Sequence, residues 1–409
     1  LKANTTGTQN TATGVNSMLC NIDGNSNTAM GVSALRCNTT GDRNTSIGLQ
    51  SSYKTTGDDN TALGTCALFE NTTASDNTAI GSYSLKANTT ASNNVAVGFE
   101  SLCKNTTGTC NTAVGKSALK ANVTTSDNTG VGTNALNGNT GDCNTGVGSG
   151  VLENVTANNN TAVGRRAMYL TTSGNSNTAV GSCSLYDNTE GDGNSAVGRN
   201  ALANNTTADY NTAVGYDSLF TNTTGHSNTA VGFNTMCVNT TGDCNVAIGK
   251  DALDSNTEGD CNTAIGTDAL QANTTTSCNT ALGSKALFAN TGSNNTAVGA
   301  NALTANTSGA RNVALGRLAL QLNSSANCNV AVGDAALYSN QTGEKNVAIG
   351  VNALYANTAE NNVAVGHLVL SENTTGTRNT AVGSCSLDAN QSGNDNTAVG
   401  RTSLSSNTT

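Results

Sequence analysis

One short unit, repeated from end to end, constrains the fold of this chain more than any other feature. An Asn followed four residues later by a Gly occurs 24 times, from Asn10 to Asn396. The consensus is N-T-A-V-G-x-x-A-L-x-x-N-T-T-G-x-x, numbered below as positions 1 to 17. Most copies have this full length, and five are shorter by a single residue. The sequence therefore predicts one continuous repeat array over residues 1–409, with no visible caps.

The five short copies separate a scaffold from a turn. In each of them the stretch N-T-A-V-G-x-x-A-L keeps its length, and the missing residue falls within the last eight positions. Deletions are tolerated in surface turns and not in packed elements. Positions 1–9 are therefore predicted to be the scaffold, and the N-T-T-G stretch is predicted to be a polar turn.

The length of the repeat selects the fold class. The unit is too short for a pair of packed helices, and dense Asn, Thr and Gly disfavour helix. The sequence predicts an all-β parallel β-solenoid (β-roll) of about 24 coils. Each coil should hold a strand of four to five residues, a Gly corner, a second short strand and the polar turn. Single coils bury too little to fold alone, so in-register stacking and Asn ladders should stabilise them.

The strand pattern also predicts an orientation. We expect positions 2 and 4 to point inward, so that Val, Ile or Leu at position 4 faces Leu or Met at position 9 across a thin core. Gly occupies position 5 in all 24 copies. We expect this Gly to have a positive φ, or to lie too close to other backbone atoms for a Cβ.

Composition excludes several function classes. A net charge of −9 provides no basic surface for phosphates, so we expect no nucleic-acid partner. The sequence contains no apolar run of 18 residues, so it predicts no membrane-spanning helix. A uniform repeat offers no specialised pocket, so we expect no enzymatic activity, no catalytic residue, no cofactor and no metal site. Acidic residues near the turn leave a calcium interpretation open: Asp42, Asp142, Asp192, Asp243 and Asp260.

The motif resembles a known family. Asn262-Thr-Ala-Ile-Gly266, continuing to Ala269-Leu270, and the matching block from Asn346 to Leu354 are similar to the head repeats of YadA-type trimeric autotransporter adhesins. Related repeats occur in tail-fibre-like surface proteins. The resemblance covers the whole chain and implies a left-handed parallel β-roll, often trimeric, used for adhesion. The repeat here is longer than the adhesin repeat by an added N-T-T-G turn.

The thirteen cysteines form two kinds of candidate disulfide. Cys103 and Cys110 bracket one turn, as Cys237 and Cys244 bracket another. One-period neighbours should lie on adjacent coils within disulfide range: Cys20 with Cys37, and Cys244, Cys261 and Cys278 in series. Disulfides would indicate an oxidising, extracellular compartment, and free Cys as small filler is the alternative. The odd total leaves one thiol unpaired, with three outward-facing candidates at position 7: Cys66, Cys183 and Cys385.

Two further sets of residues are candidate surface sites. Position 12 often begins a glycosylation sequon, as at Asn38, Asn71, Asn222 and Asn373. The alternative is a turn Asn that bonds its own backbone. Position 10 collects eight aromatic residues, which form either a contact stripe or isolated surface aromatics: Tyr53, Phe69, Tyr169, Tyr186, Phe220, Phe288, Tyr338 and Tyr355.

These observations favour a structural extracellular or cell-surface fibre that associates with itself, either end to end as a filament or as a trimer. One alternative is an adhesin or phage-type fibre head that binds a surface receptor through the position 10 stripe. A second alternative is an ice-binding β-solenoid, since flat Thr columns at coil spacing could order water.

Overall fold

The computed structural model describes residues 2–409, and the chain is all-β, as the repeat length predicts. Each coil contributes one strand of three residues, at positions 2–4, and residues 2–409 contain no helix. The predicted second strand is wrong, because positions 6–11 form a continuous series of turns. Each coil of the β-solenoid is therefore a single short strand closed by turns.

The chain divides into two compact units, the first ending at Thr207 and the second beginning at Ala208. The strands of the first unit are β1 (Thr11–Thr13), β2 (Thr28–Met30), β3 (Thr45–Ile47), β4 (Thr61–Leu63), β5 (Thr78–Ile80), β6 (Val95–Val97), β7 (Thr112–Val114), β8 (Thr129–Val131), β9 (Thr145–Val147), β10 (Thr161–Val163), β11 (Thr178–Val180) and β12 (Ser195–Val197). The strands of the second unit are β13 (Thr212–Val214), β14 (Thr229–Val231), β15 (Val246–Ile248), β16 (Thr263–Ile265), β17 (Thr280–Leu282), β18 (Thr296–Val298), β19 (Val313–Leu315), β20 (Val330–Val332), β21 (Val347–Ile349), β22 (Val363–Val365), β23 (Thr380–Val382) and β24 (Thr397–Val399).

Within each unit, consecutive strands pair in parallel, so each coil stacks on the next one along the chain. Thr28 lies opposite Thr45 across a full-length repeat, and Thr45 lies opposite Thr61 across a shortened one. The register therefore survives the deletion, as it must, because a slip by one residue would turn every side chain to the other face. The prediction that deletions fall outside the scaffold is confirmed.

The interior of the coil is lined by position 3 and position 9, which corrects the predicted orientation of the strand. Ala79 (position 3) and Leu85 (position 9) are fully buried, whereas Met30 at position 4 is 45% exposed. The reason is the narrowness of the coil. A Cβ built on Gly130, at position 3, would lie only 3.2 Å from Cγ of Leu119. Position 3 thus has room for a methyl group at most, and the branched residues of positions 2 and 4 point outward.

The turns place non-glycine residues in the left-handed region at positions 7, 9 and 17. In one typical coil and its predecessor, φ is +61° at Tyr83, +46° at Leu85 and +60° at Asp76. Each such residue costs about 1 kcal/mol or more. The neighbouring coils hold them in place: Tyr83 N–H donates to the Thr65 carbonyl at 2.9 Å, and Leu85 N–H to the Ser101 carbonyl at 3.0 Å. Stability therefore comes from stacking and not from the single coil.

The position 5 glycines satisfy both of the predicted reasons for their presence. Gly98 has a φ of +136°. A Cβ on Gly98 would also lie 2.4 Å from the carbonyl oxygen of Gly115, the equivalent glycine of the next coil. Consecutive corners stack so closely that only glycine fits.

Two buried asparagine columns, at positions 1 and 12, run along the stack. Asn38 Nδ2 donates to Asn21 Oδ1 of the preceding coil at 2.9 Å and to the Gly41 carbonyl at 2.9 Å. Asn27 Nδ2 donates to the same Gly41 carbonyl at 2.7 Å, and Asn27 Oδ1 accepts the N–H of Asn44 at 2.8 Å. The predicted Asn ladders are confirmed, and they link successive coils inside the structure, where unpaired amides would be costly.

Candidate functional site

The outer face of the parallel sheet is the most distinctive surface of each unit. It consists of the position 2 and position 4 side chains, and it is called the outer sheet face below. Position 4 side chains remain partly exposed, with Leu63 at 44%, Val180 at 39% and Ile248 at 39%. No coil has a charged residue at either position, and 17 of the 24 position 2 residues are Thr. A contiguous apolar stripe of this kind is unusual on a monomer and indicates a contact surface.

Positions 17 and 6 border this uncharged face, and each of them is charged in fewer than half of the coils. At position 17, Arg43 Nε lies 2.6 Å from Asp59 Oδ1 of the next coil. At position 6, Arg317 Nη2 lies 3.0 Å from Asp334 Oδ2 of the next coil. Both pairs are half-exposed, so they add little stability. The border of the face is mixed in character, because position 6 also carries the exposed residues Phe99, Phe233 and Val351.

The threonine columns differ in how their hydroxyls are used. At position 13, Thr72 Oγ1 donates to the carbonyl of Thr89 in the next coil at 2.9 Å, and Thr89 Oγ1 donates to Thr106 at 3.1 Å. At position 2, no hydroxyl in residues 2–409 has a hydrogen-bond partner within the chain. The position 2 hydroxyls of the outer sheet face are therefore available for hydrogen bonds to solvent or to a partner surface.

The aromatic residues of position 10 face outward but do not form a continuous stripe. They form three stacked pairs with ring centroids 5.0–5.3 Å apart: Tyr53 with Phe69, Tyr169 with Tyr186, and Tyr338 with Tyr355. Phe288 instead lies beneath Lys285, 5.8 Å from the ring centroid, and Phe220 is likewise half-buried. Sequence reasoning missed a further pair at position 6, Tyr216 with Phe233 at 5.5 Å.

All thirteen cysteines are free thiols in the structure. One-period neighbours influence each other: burial, followed by the charge of the nearby Cys20 thiolate, raises the pKa of Cys37. Desolvation and then the neighbours Cys244 and Cys278 likewise raise the pKa of Cys261. One-period cysteines are thus close enough to influence each other's pKa across adjacent coils.

The turn-bracketing cysteines have different surroundings. Cys103 is half-buried, and burial followed by Glu100 raises its thiol pKa, whereas Cys110 is exposed. Burial and then Asp254 raise the pKa of Cys237 to about 11, whereas Cys244 is exposed in the row with Cys261 and Cys278. Cys66, Cys183 and Cys385 are partly exposed at position 7. Both kinds of candidate disulfide therefore stay predictions.

The sequon asparagines lie inside the structure, which contradicts the glycan interpretation. Asn38, Asn71, Asn222 and Asn373 are fully buried. Glycosylation would modify Nδ2, and in each case this atom donates to the carbonyl three residues on, at 2.9–3.0 Å. These residues belong to the position 12 ladder, in agreement with the alternative of a turn Asn that bonds backbone.

The acidic turn residues form a hydrogen-bond ladder at position 16. Asp42 Oδ1 accepts the N–H of Asn25 at 2.6 Å, and Asp260 Oδ1 accepts the N–H of Asp243 at 2.8 Å. Asp142, Asp192 and Asp243 accept in the same way from the preceding coil. Across residues 2–409, no group of three or more His, Cys, Asp or Glu side chains is arranged to hold a metal ion.

The signal that could have located the outer sheet face is the difference in variability between positions 3 and 4. Position 3 is Ala, Ser or Gly in every copy, whereas position 4 holds Thr, Met, Ile, Leu or Val. A restriction to small residues is typical of a tightly packed interior site. Size tolerance at position 4 indicates the face with free space, so the pattern favours position 3 as the inward residue.

Comparison with known proteins gives no family for this chain. In the described part of the chain, no helix has the length and apolar character needed to cross a bilayer. No protein-family model matches the sequence, and no curated protein matches it.

Proposed function

We propose that this chain is a structural module of an extracellular fibre or filament, and that copies associate through the outer sheet face. The observation that carries the proposal is the uncharged face of positions 2 and 4, with its partly exposed aliphatic side chains at position 4. The partner that fits such a face is another copy, because an identical stack presents side chains at the same coil spacing.

The magnitude of the contact depends on how many coils take part. Fully burying a Val or Leu yields roughly 1.5–3 kcal/mol. Covering the exposed part of one position 4 side chain, about 40% of it, should therefore yield about 0.6–1.2 kcal/mol. Association itself costs roughly 4–15 kcal/mol. Counting the side chains of both copies, three coils yield only about 4–7 kcal/mol, whereas the twelve coils of one unit yield about 14–29 kcal/mol. This mode of assembly therefore favours a long repeat array.

Introducing charges on the apolar face tests the proposal. Lys at Leu63, Val147 and Val180, on three non-adjacent coils, places charges on the outer sheet face. A matched control places three Lys on exposed turns, at Thr73, Thr107 and Ser173. In sedimentation velocity, the unmodified chain and the control should form oligomers, and the face variant should be monomeric. Circular dichroism should show the same β content in all three. A monomeric unmodified chain, or a face variant that still assembles, contradicts the proposal.

The unpartnered position 2 hydroxyls favour one second candidate, ice binding, on the same face. Thr112, Thr129, Thr145, Thr161 and Thr178 occupy position 2 in five successive coils. Replacing Thr112, Thr145 and Thr178 by Val separates the two functions, because Val already occupies position 2 in six coils. Self-association should be retained or strengthened in this variant. Thermal hysteresis in the unmodified chain that the variant loses would instead support ice binding.

A further inference from the structure

One coil of the first unit lacks a side chain where every other coil has one. Position 7 is occupied by a residue with a side chain in 23 copies and by glycine only at Gly150. The backbone does not require this glycine, since φ is +60° at Gly150 and +57° at Asn134, the position 7 residue of the preceding coil. The missing side chain leaves a notch in an otherwise regular surface, and this feature is called the Gly150 notch below.

The Gly150 notch has defined walls. A Cβ added to Gly150 would lie 3.7 Å from Cγ of Arg166, 3.7 Å from Cε2 of Tyr169 and 3.8 Å from Oε2 of Glu153. These are ordinary contact distances, so the side chains surround the space without filling it. The cavity has a volume of about 290 Å³, close to the lower limit of roughly 300 Å³ for ligand pockets. It is large enough for one ring and not for a chain of them.

The aromatic wall of the notch is held in place from two sides. The Tyr169 ring stacks on Tyr186 with centroids 5.3 Å apart. The Arg166 guanidinium lies 5.4 Å from the centroid of Tyr169. Tyr169 thus has two neighbours that restrict its ring, and its Cε2 atom lies beside the space at Gly150. The nearby Glu153 carboxylate raises the pKa of the Tyr169 hydroxyl, and both residues line the cavity.

The polar groups around the notch are of complementary kinds. Arg165 and Arg166 are the only adjacent arginines in the sequence, and both line the cavity. Guanidinium groups bind carboxylates by charge-assisted hydrogen bonds. Asn134, Ser149 and Glu153 add neutral and acidic groups that can exchange hydrogen bonds with hydroxyls. With two cations and one carboxylate, the notch carries a net positive charge on a chain of net charge −9.

We propose that the Gly150 notch binds a single acidic sugar ring, with its carboxylate on Arg165 and Arg166 and its hydroxyls on Asn134, Ser149 and Glu153. The notch lies on the turns of positions 6–10, and its position 6 residues Ser149 and Arg165 adjoin the border of the outer sheet face.

Three probes of matched chemistry define the ligand. Ligand-observed NMR with the full chain should show binding of glucuronate with a Kd in the range of about 1 mM, as expected for so small a ligand. Glucose has the same ring without the carboxylate, and acetate has the carboxylate without the ring. Both should bind at least ten-fold more weakly. Equal binding of glucose, equal binding of acetate, or no binding of glucuronate overturns the proposal.

Two variants and one control assign the binding to the notch. Gly150→Asn fills the notch with the side chain that Asn134 carries in the same conformation, so folding should be unaffected and glucuronate binding should weaken at least ten-fold. Gln50→Asn is the control: it introduces Asn at position 7 of a distant coil, and this variant should bind glucuronate as the unmodified chain does. Replacing Arg165 and Arg166 by Gln should also abolish binding. If Gly150→Asn keeps its affinity while thermal unfolding is unchanged, the site is not in the notch.

Discussion

The position 12 asparagine ladder should stabilise each coil and couple it to its neighbours, and Asn105 is a suitable residue to test both effects. Asn105 Nδ2 donates to Asn88 Oδ1 at 3.0 Å and to the Gly108 carbonyl at 2.9 Å, and Asn105 Oδ1 accepts from Asn122 Nδ2 at 3.1 Å. Asn105→Ala removes all three bonds within the buried interior. Each contributes about 1 kcal/mol, so the local free energy of unfolding should fall by about 3 kcal/mol.

Hydrogen exchange followed by mass spectrometry measures this effect coil by coil. A loss of about 3 kcal/mol corresponds to exchange on the order of 100-fold faster in the coils on either side of Asn105. Lys104→Ala is the matched control, because Lys104 is the adjacent exposed residue of the same turn and surface changes are usually within about 0.5 kcal/mol. If Asn105→Ala exchanges no faster than Lys104→Ala, the ladder does not stabilise the stack.

The double variant Asn88→Ala with Asn105→Ala tests whether the ladder is continuous. Asn88 also takes part in three bonds, donating to Asn71 and Ala91 and accepting from Asn105. The Asn105-to-Asn88 bond belongs to both sets, so the double variant loses five bonds and not six. It should be about 1 kcal/mol less destabilised than the sum of the single variants. Strict additivity would refute a direct coupling between adjacent coils.

Two further outcomes follow from the backbone and from the thiols. Gly98→Ala should disrupt the stack around its coil, because the added Cβ would lie 2.4 Å from a carbonyl oxygen. Gly150→Ala is the control: its added Cβ has its nearest neighbours at 3.7 Å, so this variant should melt within a few degrees of the unmodified chain. Equal losses of melting temperature by circular dichroism would contradict this account of position 5. Mild oxidation with diamide should join Cys20 to Cys37 by a disulfide. Trypsin cleaves between them at Arg36, so mass spectrometry would detect the disulfide as a cross-link between two peptides. A dominant cross-link between other cysteines would show that coil adjacency does not control pairing.

The sequence predicts the fold class well because the period is a global property. Class, parallel stacking, register and the glycine corner all follow from spacing that 24 copies repeat, and each is confirmed. The predicted direction of the strand is wrong because alternation alone cannot tell which side is inside. The volume beside Leu119, seen from Gly130, decides it: only a methyl group fits. The local pattern favours the larger residues of position 4 as the core, whereas the narrow closed coil has room only for the small residues of position 3.

Three features are harder to predict from the sequence, because each depends on contacts with adjacent coils: the absence of a second strand, the burial of the sequon residues and the Gly150 notch. A second strand is the natural expectation because Leu at position 9 is uncommon in the left-handed region, yet Leu85 has a φ of +46° since adjacent coils impose it. The sequon residues look exposed because N-T-T-G is turn-like, yet Asn38 is buried because its side chain turns inward. The Gly150 notch depends on one missing side chain among 24 copies, and only the walls supplied by the next coil give that absence a meaning.

The constant register between full-length and shortened coils has a consequence for how such a chain can change over generations. Since Thr45 pairs equally with the strand before it and with the strand after a shortened turn, removing or duplicating a whole coil would join two surfaces that already match. Unequal recombination within the gene could therefore lengthen or shorten the array without a misfolded intermediate. The number of repeats is then a trait that selection can adjust independently of what each repeat does.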